Sequence, residues 1–86
     1  MDTLQQIENE CKTKIAEMSQ TIESKKANRR EINAYTAILG QASQCRFAPD
    51  GETLFADYLR SNLDPENSEP DSPRYQISAQ MLKKIS

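Results

Sequence analysis

The sequence contains no histidine and no tryptophan, and it has only two glycines and two cysteines. Without histidine the chain lacks the commonest general base and the commonest metal ligand at neutral pH, which points away from catalysis. Two glycines cannot build a glycine-rich phosphate cradle, and no P-loop, dinucleotide-binding turn, zinc-protease motif or calcium loop is present. Cys11 and Cys45 are too few for a disulfide framework and are not spaced as metal ligands, so they read as reduced thiols of a cytoplasmic protein. No apolar run approaches the ~18 residues of a membrane span. Asp2 and Glu8 stand where a secretory leader would need positive charge and then an apolar stretch. These absences predict one complete, short, single-domain protein that stays where it is made, without metal or cofactor.

The bulk composition is equally uncommitted. The 11 basic and 13 acidic residues leave a net charge of −2, too small a field to select a nucleic acid or a membrane. Hydrophobic residues make up 36% of the 86, and the aromatics are Tyr35, Phe47, Phe55, Tyr58 and Tyr75. A core this thin in so short a chain favours self-association.

What is present is helical. From Thr3 to Leu39 there is no glycine or proline, and good helix formers dominate. Asp2 or Thr3 can cap the start, and Gly40 stands where a left-handed helix end would place it. Leu4, Ile7, Cys11, Ile15, Met18 and Ile22 recur at spacings of three, four, four, three and four, a narrow stripe with an eleven-residue repeat. The stripe lapses at Lys26, Arg29 and Asn33, and apolar residues resume, turned by a quarter to a third of a circle, at Ile32, Tyr35, Ile38, Leu39 and Ala42. Two arrangements satisfy this pattern. The favoured one is a continuous or kinked helix over 3–39, about 55 Å long. The other is an antiparallel hairpin folded back near Asn28, with Met18 facing Ile38 and Cys11 approaching Cys45. A long helix would need a second copy to cover its stripe, so it predicts a homo-oligomer, a dimer or larger, sealed by those six residues.

After a turn through Pro49, Asp50 and Gly51, residues 51–62 are expected as a short helix whose apolar face carries Leu54, Phe55, Tyr58 and Leu59. Residues 64–73 hold three prolines and four acidic residues and read as a linker, and residues 76–85 read as a C-terminal helix. The expected class is therefore all-α.

Three clusters could carry chemistry. Cys45 beside Arg46 could be a mildly activated thiol, but no motif surrounds it, and Cys11 belongs to the apolar stripe. Asp64, Glu66, Glu69 and Asp71 lack the fixed turns and the glycine of a calcium loop and read as solvated. Lys25, Lys26, Arg29 and Arg30 are the densest run of one sign; with Tyr35 one to two turns on, they are a candidate anion site for a phosphorylated ligand or a nucleic-acid backbone. Tyr58 and Tyr75 are candidate partner contacts, Tyr75 the more exposed. The leading functional reading is a non-enzymatic interaction protein, a small regulator, adaptor or inhibitor of the kind encoded by phages and mobile elements. The competing reading is an oligomeric sequesterer of a phosphorylated ligand or nucleic acid through residues 25–30.

Overall fold

The glycine- and proline-free stretch does not form one helix. In the computed structural model, which describes residues 3–85, that stretch is divided among α1 (Thr3–Met18), α2 (Ile22–Ala27) and α3 (Arg29–Arg46). Short polar side chains make the breaks by competing for backbone groups. The Thr21 hydroxyl accepts from the Ser24 amide at 2.9 Å and caps α2. The Ser24 hydroxyl reaches back to donate to the Met18 carbonyl at 3.0 Å, capping the end of α1. The Asn28 side-chain amide donates to the Ser24 carbonyl at 2.9 Å, closing α2 just before α3 begins. The continuous helix over 3–39 is thus replaced by a hairpin, because folding back buries the apolar faces of α1 and α3 against each other instead of leaving both in water.

The register also differs from the hairpin expected from sequence. Leu4, not Cys11, is the residue beside Cys45, and Met18 shares a groove with Glu31 and Tyr35 rather than facing Ile38. The connection is not a tight turn at Asn28 but a short helix with its own caps, so the pairing slides. Gly40 is likewise not a helix end: α3 runs through it to Arg46, and no described glycine has positive φ. Asp2, an expected cap, lies outside the described residues.

The remaining elements are α4 (Gly51–Asn62) and α5 (Pro73–Ile85), and no strand occurs among the described residues. α3 touches the other three long helices. The core combines Leu4, Ile7 and Cys11 with Ala34, Ile38, Ala42 and Cys45 of α3, Phe55 and Leu59 of α4, and Ile77 and Met81 of α5. Ala34 and Ala42 stand on the buried face of α3. The radius of gyration, 12.8 Å, is near the roughly 12 Å of a compact single chain of this length.

Polar groups fix the register inside this bundle. Glu8 is 4% exposed, accepts from the Ser43 hydroxyl, and receives Arg46 Nη1 at 2.6 Å. Asn62 donates to the buried Ser78 hydroxyl at 3.1 Å, tying α4 to α5, and Lys84 pairs with Glu10, tying α5 to α1. A buried carboxylate is tolerable only with such partners, and moving α1 by one turn against α3 would strand Glu8.

Candidate interaction site at the hairpin tip

At the apex of the hairpin, Lys25, Lys26 and Arg29 surround a groove of about 480 Å³ whose apolar lining is Ile22 and Ile32, with Asn33 at its edge. The local breaks build it. Because α2 is its own short helix and α3 restarts at Arg29, cations from two helices converge on one side. Their side chains form no ion pair among the described residues, where the pairs are Glu8 with Arg46, Asp57 with Arg60, and Glu10 with Lys84. Ile22, 76% exposed, is the most accessible part of this apolar lining.

The sequence-derived candidates are only partly brought together. Arg30 leaves the cluster and lines a separate groove with Asn33, Ser72 and Arg74. Tyr35 is half-buried between α1 and α5, beside Glu31 and Gln76 and away from the cations. Its phenol is raised above the ordinary value, first by burial and then by negative charge from Cys11, Glu10, Glu31 and Glu17. Of the six stripe residues, Leu4, Ile7 and Cys11 are buried in the chain's own core, Ile15 and Met18 are half-buried, and Ile22 stands alone in solvent. Tyr58 is half-buried and stacked on Phe55, with ring centroids 6.1 Å apart, so it packs the core. Tyr75 is half-buried too, in the first turn of α5, its amide donating to the Ser72 hydroxyl at 3.3 Å.

Neither thiol is activated. Cys45 is buried and its pKa is raised, first by burial and then by the charge of Asp50. Cys11 is fully buried and pushed up to about 11, first by burial and then by Glu10, with Lys84 opposing and Glu8 adding. The unfolded chain gives up this proton near the ordinary 9.0 and the folded chain holds it to about 11, so the unfolded state binds fewer protons in between. Stability is therefore expected to be complete below pH 9 and to fall by up to about 3 kcal/mol towards pH 11. Urea unfolding across that range should show a flatter decline for Cys11→Ala, with a residual slope from Cys45 and Tyr35; identical slopes would show that Cys11 does not titrate differently in the fold.

The acidic segment is more ordered than a loose linker. The Asp64 carboxylate accepts from the Glu66 amide at 3.0 Å, the Asn67 side chain donates to the Ser61 carbonyl at 2.9 Å, and the Ser72 hydroxyl donates to the Glu69 carbonyl at 2.7 Å. No group of three or more acidic or cysteine side chains that could hold a metal ion occurs among the described residues. No helix among them is long and apolar enough to cross a membrane.

Sequence reasoning found the cations but not their companions. Ile22 looked like the last member of the first stripe and Ile32 like the first of the second, and nothing local signals that the break sets them in one groove. The partnership of Glu8 with Ser43 and Arg46 has no local signal either. Compared with known proteins, the chain matches no family model, and no curated protein and no solved structure resembles it significantly.

Proposed function

We propose that this protein is a non-enzymatic interaction module, a small regulator, adaptor or inhibitor, whose contact surface is the hairpin tip and whose partner presents an acidic segment bearing an apolar side chain. One observation carries the reading: Lys25, Lys26 and Arg29, which form no ion pair among the described residues, share a single groove with the exposed Ile22 and the half-buried Ile32. Cations alone would suit any anion. The apolar lining selects a ligand that also has something to bury. A phosphorylated ligand or nucleic acid is less well served, since Tyr35 is not at the groove to stack on a base and Arg30 lines another face.

The test is fluorescence anisotropy with a labelled peptide of Asp and Glu around a central Leu, against the same peptide with Ser in place of Leu and against a single-stranded oligonucleotide. The leucine peptide should bind, and the serine peptide should bind about tenfold more weakly for the lost apolar burial. Lys25→Gln, Lys26→Gln and Arg29→Gln together should abolish binding while leaving the far-ultraviolet circular dichroism unchanged. Equal binding of the two peptides, or tighter binding of the oligonucleotide at the same salt, would replace this reading with simple anion binding.

A further inference from the structure

We infer that the groove's occupant is the acidic segment 64–71 of a second copy of this chain, and that the exchange is reciprocal, giving a two-fold dimer joined at the hairpin ends. The inference rests on the reading of the groove just given and names its partner. The chain carries both halves of the contact. Asp64, Glu66, Glu69 and Asp71 are exposed and form no ion pair among the described residues, as is true of the three groove cations. Pro65 and Pro70 are exposed between these carboxylates, so the segment offers ring surface to Ile22 as well as charge to the groove rim. Its hydrogen-bonded turns hold it in shape already, which lowers the ordering entropy that docking must overcome.

The two halves lie at one end of the bundle without pairing within one chain. Asn33 lines the basic groove and, with Arg30, also a groove with Ser72, Pro73 and Arg74, where the acidic segment leads into α5. Among the described residues no carboxylate of the segment pairs with a groove cation, which leaves both halves available to a second copy. A two-fold axis at this end brings each segment over the other copy's groove and makes both contacts at once, a closed arrangement with no free ends.

Sedimentation of the full chain tests this, comparing low salt with about 0.5 M salt, where surface charge is screened within a few ångströms. The wild type should be a dimer at low salt and dissociate at high salt. One variant reverses the groove, Lys25→Glu with Lys26→Glu and Arg29→Glu. A second reverses the segment, Glu66→Lys with Glu69→Lys and Asp71→Lys. Each alone should weaken self-association about a hundredfold or more, and an equimolar mixture should restore a heterodimer, since both of its contacts are again between opposite charges. The mixture also guards against misfolding, because an unfolded variant could not be rescued. A wild type that stays monomeric at low salt, or a dimer that neither reversal weakens, overturns the inference. The leucine-bearing acidic peptide separates the two levels for a chain that stays monomeric: if it binds, the groove reading stands and the second-copy assignment falls, and if it does not bind that monomer, both fall. Saturable binding of the monomeric wild type to anionic lipid vesicles, with no dimer, would assign the groove to a membrane surface instead.

Discussion

Gly51→Ala is expected to destabilise the protein by about 3 kcal/mol or more, a large part of the roughly 4–13 kcal/mol that a chain of this length can hold. The reason is space, not backbone freedom, because Gly51 does not have positive φ. A Cβ at this position would lie 1.9 Å from the Cys45 carbonyl oxygen and 2.9 Å from its carbon, both backbone atoms, with a Leu4 methyl at 3.3 Å. Neither backbone atom can rotate away, so α4 would have to lift off the end of α3 at the point where α1 also meets it. Gly40 provides the control. Nothing lies within 4 Å of a Cβ added there, inside α3, so Gly40→Ala should gain about 0.5–1 kcal/mol by stiffening the unfolded chain and favouring the helix. Urea unfolding of both variants checks the pair; a wild-type midpoint for Gly51→Ala would mean that α3 and α4 do not meet this closely.

The second large effect separates the two phenylalanines. Phe55 is 0% exposed, stacked on Tyr58 and enclosed by the central core, and Phe55→Ala should cost about 3–5 kcal/mol for the lost burial and the cavity left behind. Phe47 is 79% exposed, and its main partner is the Arg46 guanidinium, 4.9 Å from the ring centroid. An exposed contact of that kind is worth about 0.5–1 kcal/mol, and Arg46 keeps its pair with Glu8 without it, so Phe47→Ala should lose no more than that. Thermal or urea unfolding of the two variants gives the comparison directly. Comparable losses would mean that Phe47 is covered in solution, which would make the α3–α4 corner a second contact surface.

The elements differ in how legible they were. The turn at Pro49, Asp50 and Gly51 and the helix after it are written within a dozen residues, since proline and glycine punctuate the chain and Phe55 and Leu59 recur at helical spacing. The break in the first half is written more faintly. Thr21, Ser24 and Asn28 are weak breakers singly, and what makes them effective is that each finds a backbone partner once the chain has begun to reverse. Helix propensity across 3–39 favours continuity by tenths of a kcal/mol per residue, whereas pairing two apolar faces contributes about 1.5–3 kcal/mol for each large side chain buried. Packing therefore overrides propensity, and the six-residue stripe that looked like an intermolecular seam is divided, with half of it inside the fold.

The basic run was visible in the sequence for the same reason as the Pro-Gly turn: its members are neighbours in the chain. Its division was not. Whether Arg30 joins Arg29, or whether Tyr35 reaches the cations, depends on where α2 ends and α3 begins, a matter of about 100° per residue settled by one asparagine cap. By itself the sequence determined the all-helical class, the charge clusters, the helix opened at Gly51 and the absence of histidine chemistry, because each of these follows from composition or from spacing within a few turns. Only the tertiary structure decided which apolar stripe is core, that Ile22 is left in solvent among unpaired cations, and that Glu8 is held by Ser43 and Arg46 from the far side of the hairpin. Those outcomes depend on contacts between residues some 35 positions apart, whose energies arise from burial and pairing that no local pattern records.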